Sequence, residues 1–121
     1  MNNTIKIVSQ AFYGNRTRTE INKEDVDRFI LGYIDDSIAI TEEINRTIIG
    51  VPNTDNIVIV YNKYKEDEAT SRKEGRNPLV VIPENNIKLY SRCIVCRLDE
   101  NGKFESLQSG DYKKFMKYLS E

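Results

Sequence analysis

Hydrophobic and polar residues follow two periods along this chain, and each period predicts a different kind of element. β-Branched and aromatic residues with a period near two, bounded by Gly, Pro, Asn or Asp, are typical of strands. Strands are therefore predicted over residues 4–13, 56–64, 79–82, 87–98 and 103–107. The nearly continuous apolar start of segment 56–64 favours an interior position in the sheet.

A period near 3.6 predicts one long helix, from residue 23 to residue 47 or 48. Asn22 suits the N-cap, acidic residues fill the first turn, and Gly50 and Pro52 supply stop signals. One apolar face collects Val26, Phe29, Ile30, Tyr33, Ile34, Ser37, Ile40, Thr41, Ile44 and Ile48. The flank of that face is widened by Leu31, Ile38 and Ile49. Two interpretations remain for the flank: a broad core stripe, or contact with a second copy of the chain.

The remaining segments complete a single α+β domain over residues 1–121. Polar segment 14–21 and charged segment 65–77 are predicted to be loops, and Ser109 is predicted to cap a short closing helix over 111–119. The resulting order is β-α-β-β-β-β-α. We expect a mainly antiparallel, twisted sheet packed on one long amphipathic helix, with a short C-terminal helix.

Composition excludes several classes of chemistry. The 121 residues include 18 basic and 19 acidic side chains, a balance that argues against a general nucleic-acid coat. The chain has no His, which excludes Ser-His-Asp, Cys-His and HExxH sites. Cys93 and Cys96 are three residues apart on a predicted strand, so their side chains point to opposite faces and cannot share a metal or an ordinary disulfide. We expect no metal and no cofactor.

No apolar run is long enough to span a membrane, and the N-terminal residues do not resemble a secretory signal. These features predict a soluble, cytoplasmic protein with no membrane partner. Catalysis is not expected either. The acidic pairs Asp35–Asp36 and Glu42–Glu43 fall on the exposed face of the predicted helix, where both members of each pair are solvated.

Charge is segregated although it nearly cancels, and this segregation indicates a first candidate site. Residues 1–19 contain three basic side chains and no acid, whereas residues 20–50 contain eight acids and three bases. The basic segment places Phe12, Tyr13, Arg16 and Arg18 between a strand and a helix start, where phosphate and a stacked base could bind. The alternative is a solvated loop whose arginines pair with the acids that follow.

Two further segments are candidate binding surfaces. Lys88, Tyr90 and Arg92 share one face of a strand if the period is two, and Arg97 then lies on the other face. This arrangement fits either a phosphate-binding face or an ordinary exposed cation–π group. The turn after the long helix contains Asn53 and Asp55, which either serve the turn itself or contact a ribose or a base edge.

Three segments carry a family resemblance: IKIVSQAFYGNRTRTE, PNTDNIVIVYNKYKED and VVIPENNIKLYSRCIVCRL. They resemble the small phage-encoded anti-Thoeris proteins of the Thoeris anti-defense 1 type, over residues 5–98. The resemblance implies a protein that is not an enzyme, that forms dimers or larger homo-oligomers, and that sequesters a cyclic ADP-ribose isomer inside an infected bacterium. It implies no particular contact residues.

Two hypotheses from different classes follow. In the first, the protein binds a cyclic nucleotide signal at Arg16 and Arg18 and holds it without cleavage, so that host anti-phage defence is blocked. In the second, it is a protein-binding phage inhibitor, such as an anti-CRISPR, whose acidic helix face mimics nucleic acid. A phosphodiesterase is a third hypothesis.

Overall fold

The computed structural model describes residues 3–11, 16–35 and 46–119. The strands within these residues are β1 (Thr4–Gln10), β2 (Arg16–Asn22), β3 (Arg46–Gly50), β4 (Ile57–Asn62), β5 (Val80–Ile82), β6 (Ile87–Leu89), β7 (Cys93–Leu98) and β8 (Phe104–Glu105). The α-helices are α1 (Val26–Asp35), α2 (Lys63–Ser71) and α3 (Tyr112–Phe115). Short 3-10 turns occupy Lys23–Asp25, Pro83–Asn85, Ser109–Asp111 and Met116–Tyr118. These elements confirm the α+β class.

The main sheet is antiparallel throughout, as predicted. Its strand order is β2-β1-β7-β4-β3, and β8 pairs with the C-terminal end of β7 at Arg97 and Leu98. Strands β5 and β6 form a separate two-stranded sheet. Strand β7 lies in the middle of the main sheet because its first four residues are apolar and fully buried. None of the helices within the described residues is long and apolar enough to cross a membrane.

Strand β7 supplies both hydrophobic cores, one on each face of the sheet. Cys93 and Val95 pack with Phe115 on the side of residues 109–118, which we call the C-terminal segment. Ile94 and Cys96 pack on the side of α1. The prediction that the two thiols point to opposite faces is confirmed. Both are free, and burial raises the pKa of each to about 12, so both side chains are neutral core residues.

The predicted long helix is wrong in length. Helix α1 has ten residues, and the chain at Arg46–Gly50 is strand β3, paired with β4. The β-branched run Thr47–Ile49 favours a strand once an interior neighbour such as β4 is present. The helical period does hold over α1, where Val26, Ile30 and Ile34 are buried against the sheet. Four predicted apolar-face residues lie outside the described residues: Ser37, Ile40, Thr41 and Ile44.

Asn22 does stand at the predicted helix start, before the 3-10 turn Lys23–Asp25, but its side chain makes no cap hydrogen bond. Segment 14–21 was predicted to be a loop, and most of it is instead strand β2, which pairs with β1 over seven residues. Alternating threonines and charged residues suit an edge strand, because one strand face there can remain solvated.

Segment 65–77 was also predicted to be a loop, and its first half belongs to helix α2. The Asn62 side chain caps this helix by accepting from the backbone N–H groups of Tyr64 and Lys65, at 2.9 and 3.3 Å. High charge alone therefore does not exclude a helix when a cap starts it. The closing helix also starts differently from the prediction: Gln108 and Asp111 form a capping box, and Ser109 lies inside the first turn.

The predicted strand 87–98 is two strands in two different sheets. The break falls at residues 90–92, where Glu66 of α2 binds the backbone. Its carboxylate accepts from the N–H of Tyr90 at 2.8 Å and from the N–H of Ser91 at 2.8 Å. A buried carboxylate that satisfies two amides substitutes for the strand ladder, so the chain can leave one sheet and enter the other.

Candidate functional site

An open groove lies between the edge strand β2 and the C-terminal helical segment. Its volume is about 600 Å³, and we call it the β2 groove; it is lined by Lys6, Arg18, Thr19, Glu20, Leu107, Ser109, Tyr112 and Lys113. A cavity of this size is in the range of small-molecule sites. The groove contains one of the predicted site residues, Arg18.

Strand register explains which side chains reach the β2 groove. Lys6 of β1 lies opposite Glu20 of β2, and Val8 lies opposite Arg18. Val8 is buried in the core on the side of the C-terminal segment. Residues two apart on a strand share a face, so Lys6, Arg18 and Glu20 all face that segment.

The groove brings positive charge against an aromatic ring. The Arg18 guanidinium carbon lies 4.2 Å from the centroid of the Tyr112 ring. The Tyr112 ring in turn packs against the buried Phe115 ring, with centroids 5.6 Å apart. Phe115 thus fixes the Tyr112 ring from one side, and the ring holds the Arg18 guanidinium at the groove.

Within the described residues, no salt bridge neutralises the positive charges of the groove. Among residues 3–11, 16–35 and 46–119, no carboxylate forms an ion pair with Lys6, Arg18 or Lys113. Glu20 lines the same groove, but its carboxylate accepts a 2.5 Å hydrogen bond from the Thr4 hydroxyl. The predicted alternative, in which the arginine pairs with the acids that follow it, is not what the structure has at Arg18. Three cations beside a ring suit an anionic ligand.

Arg97 and Asp111 hold the first turn of the C-terminal segment beside this groove. The Arg97 guanidinium donates to Asp111 through two bonds, Nε to Oδ2 at 2.6 Å and Nη2 to Oδ1 at 2.9 Å. Asp111 also accepts from the Gln108 N–H at 2.8 Å. The hydrogen bonds from Arg97 lower the pKa of the Asp111 carboxyl and raise the pKa of Arg97. Arg97, a predicted ligand contact, is thus placed where it positions the residue next to Tyr112.

The other residues of the predicted anion site divide into two groups. Arg16 lies at the end of β2, where its Nη1 is 3.7 Å from the Met116 sulfur, on the same face as Arg18. Phe12 and Tyr13 lie outside the described residues. The structure therefore brings Arg16 and Arg18 to one side of the sheet, beside the C-terminal segment.

The second predicted surface is not assembled. Lys88 belongs to β6, whereas Tyr90 and Arg92 lie in the link between sheets, so the three residues do not share a strand face. The Tyr90 backbone is bound by Glu66, and the Arg92 guanidinium lies 5.6 Å from the Tyr33 ring of α1. A period of two holds only while the strand continues, and Glu66 ends it.

Asn53 and Asp55 lie in the turn between β3 and β4, and neither lines the β2 groove. Asn53 has φ of 63°, a left-handed conformation that asparagine tolerates well. Thr54 closes the same turn through its hydroxyl, which donates to the Val51 carbonyl at 2.7 Å. Turn formation accounts for these residue types.

The acidic surface required by the protein-binding hypothesis is mostly not described. Asp36, Glu42 and Glu43 lie outside the described residues, and α1 ends at Asp35. Since three of the four acidic residues on which that hypothesis depends lie outside the described residues, the acidic helix face stays a prediction.

Sequence reasoning missed Lys6, Glu20, Tyr112 and Lys113 as parts of a site. The pattern placed Tyr112 on the apolar face of the closing helix, and that signal was correct because its ring packs on Phe115. Nothing in the local sequence indicated that this helix meets β2, since β2 was predicted to be a loop. Within the described part of the chain, no group of three or more His, Cys, Asp or Glu side chains could hold a metal ion.

Comparison with protein-family models, with curated proteins and with solved structures finds no match to this chain.

Proposed function

We propose that this protein binds a phosphorylated nucleotide in the β2 groove and keeps it intact. Following the resemblance in the sequence, the ligand is a cyclic ADP-ribose isomer, and its removal in the cytoplasm of an infected bacterium blocks host anti-phage defence. The observation that carries the proposal is the Arg18 guanidinium stacked 4.2 Å from the Tyr112 ring, with Lys6 and Lys113 lining the same groove.

The energetics of such binding are within reach of these side chains. A charge-assisted hydrogen bond contributes about 1.5–3 kcal/mol. Submicromolar affinity requires more than about 8 kcal/mol. Contacts from Arg18, Lys6 and Lys113 to a pyrophosphate supply that order of free energy.

Binding without cleavage is supported by what the groove contains. The chain has no His, the side chain that most often acts as general acid or base near neutral pH. Glu20 is the carboxylate in the groove lining, and it is already bonded to the Thr4 hydroxyl. Among the described lining residues, a carboxylate with no second carboxylate and no imidazole beside it lacks the usual pair of groups that cleaves a phosphate or glycosidic bond.

Among the described residues of one copy of the chain, the groove is open to solvent. A second copy, which the resemblance implies, would cover the ligand and exclude water from the charged contacts. Charge-assisted bonds strengthen when water is excluded, so a homo-oligomer fits a protein that must compete with another receptor.

A retention assay tests the proposal. The protein is incubated with a cyclic ADP-ribose isomer, filtered and heat-denatured, and the released compound is identified by chromatography and mass. We expect intact ligand from the wild type and at least tenfold less from Arg18→Ala with Lys113→Ala, because two phosphate contacts are lost. A cleaved product, or no retained compound, overturns the proposal.

Matched controls separate the groove from general charge loss. Arg28→Ala and Lys103→Ala remove an exposed arginine and an exposed lysine that do not line the groove, and together they change net charge by the same amount. This pair should retain as much ligand as the wild type. Equal losses in both double variants would mean that binding follows net charge and not the groove.

A further inference from the structure

Two segments near opposite ends of the sequence contain basic side chains and no acid. Residues 1–19 hold three basic side chains, and residues 112–119 hold three lysines. The whole chain has 18 basic and 19 acidic side chains, so the remainder holds 18 less six bases against 19 acids, a net charge of −7. The near balance of charge therefore conceals two basic segments and an acidic remainder.

The fold brings the two basic segments together. The Arg18 guanidinium lies 4.2 Å from the Tyr112 ring, and Arg16 Nη1 lies 3.7 Å from the Met116 sulfur. Lys6 of the first segment and Lys113 of the second line the same β2 groove. We call the basic side chains of the two segments the basic band; they are Lys6, Arg16, Arg18, Lys113, Lys114 and Lys117.

Half of the basic band is not explained by the groove. Arg16, Lys114 and Lys117 are not among the residues that line it. Within the described part of the chain, none of the three forms an ion pair. Arg16 contacts a sulfur instead, and Lys117 Nζ lies 5.1 Å from the centroid of the Tyr118 ring. These three cations serve neither the groove lining nor a salt bridge of the fold.

Carboxylates near the two outer lysines already have other partners. Asp111, which interacts electrostatically with Lys114, accepts two hydrogen bonds from Arg97. Glu84, which interacts with Lys117, accepts a hydrogen bond from the Tyr118 hydroxyl. The six cations of the basic band therefore leave a surplus of positive charge around the groove.

Charges of one sign around a groove act on a ligand before it arrives. Their field extends over about 8 Å at physiological ionic strength and raises association rates by about 10- to 1,000-fold. The acidic remainder repels anions, so they approach preferentially at the basic band. A long nucleic acid would extend past the band and meet that acidic remainder, so a small anion fits this charge distribution better.

Resting on the function proposed above, we propose that Arg16, Lys114 and Lys117 are capture residues. They accelerate the association of the phosphorylated ligand with the β2 groove and do not contact it once it is bound. Electrostatic complementarity of this kind acts on the association rate more than on the stability of the complex. A protein that must intercept a signal before another receptor binds it gains directly from rapid association.

Surface plasmon resonance, with the protein immobilised and a cyclic ADP-ribose isomer in solution, measures the two rate constants separately. The combined variant Arg16→Gln, Lys114→Gln and Lys117→Gln should lower kon about fivefold and leave koff within about twofold of the wild type. Raising NaCl from about 50 to 500 mM should lower kon more in the wild type than in this variant.

The matched control removes three exposed cations outside the basic band and the groove. It combines Arg28→Gln, Lys73→Gln and Lys103→Gln, which change net charge by the same amount. Its kon should stay at the wild-type value. Equal slowing in the two triple variants would assign the effect to net charge and overturn the capture role. Melting temperatures establish that every variant is folded.

The remaining outcomes separate the capture role from the proposed function. An unchanged kon in the band variant overturns the capture role alone, since the ligand is still bound. A raised koff does the same, because the three residues would then be ligand contacts. Submicromolar binding of a single-stranded DNA of about 20 nucleotides at about 150 mM NaCl would make the band a nucleic-acid surface instead. If the wild type does not bind the cyclic isomer, both proposals fail.

Discussion

Arg97 and Arg18 lie on the same face of the main sheet but in opposite surroundings. Arg97 extends from the central strand β7 and makes two hydrogen bonds to Asp111, which is 2% exposed. Arg18 extends from the edge strand β2, contacts the Tyr112 ring and faces the groove. The arginine at the centre serves the fold, whereas the arginine at the edge is available to a ligand.

The physical reason for the difference is solvation. A buried charge must be paired because its desolvation is costly, so Arg97 and Asp111 occur together near the middle of the sheet. At an edge, water solvates the guanidinium and no carboxylate is required. The edge of a sheet is thus where a protein can keep an unpaired cation at little cost in stability.

The largest expected effect comes from breaking the paired arginine. Arg97→Ala leaves the Asp111 carboxylate buried without its cation, and we expect the free energy of unfolding to fall by about 3 kcal/mol. Arg18→Ala removes only the contact with the Tyr112 ring and should lower it by less than about 1 kcal/mol. Urea denaturation of both variants and the wild type measures the difference. Similar losses in the two variants would contradict the contrast between centre and edge.

A smaller effect is expected from acid. Hydrogen bonds from Arg97 lower the pKa of Asp111 below its ordinary value of 3.8. A carboxyl with a lowered folded pKa stabilises the fold above its unfolded pKa, and that contribution disappears as the pH falls from about 5 through the folded pKa. Wild-type stability should therefore decrease over this range, and Asp111→Asn should flatten the decrease. Unfolding curves recorded at several pH values give the free energy of unfolding as a function of pH. If this pH dependence is the same in Asp111→Asn as in the wild type, Asp111 is not the group responsible for it.

The smallest expected effect concerns salt. Exposed cations that contact phosphate are screened, so the affinity for ADP should fall several-fold when NaCl is raised from about 50 to 500 mM. The dependence should be weaker in Arg18→Ala. The contribution of the Arg97–Asp111 pair to the free energy of unfolding should depend less on NaCl, because buried pairs are screened less. Titrations at three salt concentrations test this, and equal salt dependence in wild type and Arg18→Ala would show that Arg18 does not contact the anion.

The sequence predicts a strand correctly where a run of apolar residues is sufficient to identify it. The run Ile57–Asn62 begins with four β-branched residues and the run Cys93–Leu98 with four apolar residues, and both are interior strands. The prediction was wrong where residues distant in sequence determine the secondary structure. Arg46–Gly50 forms a strand because it pairs with β4. The strand predicted through Tyr90 is interrupted because Glu66, 24 residues away in sequence, binds the backbone there.

The candidate site was predictable only in part for the same reason. Arg18 could be found from the sequence, because basic residues stand together in a segment without acids. Lys6, Tyr112 and Lys113 could not, since their proximity to Arg18 depends on the β1–β2 pairing and on the position of the C-terminal segment. The local sequence shows which chemical groups are present, but tertiary packing determines which of them lie close together.

Strand β7 gives alternate side chains to both hydrophobic cores, with Val95 on one face and Ile94 on the other. Strands β1 and β4 do the same, so neither core can lose its order while the other keeps three shared strands in register. The two faces of the sheet are therefore one cooperative unit. Thermal unfolding should be a single transition by both near- and far-ultraviolet circular dichroism, and a ligand held on one face stabilises the whole sheet.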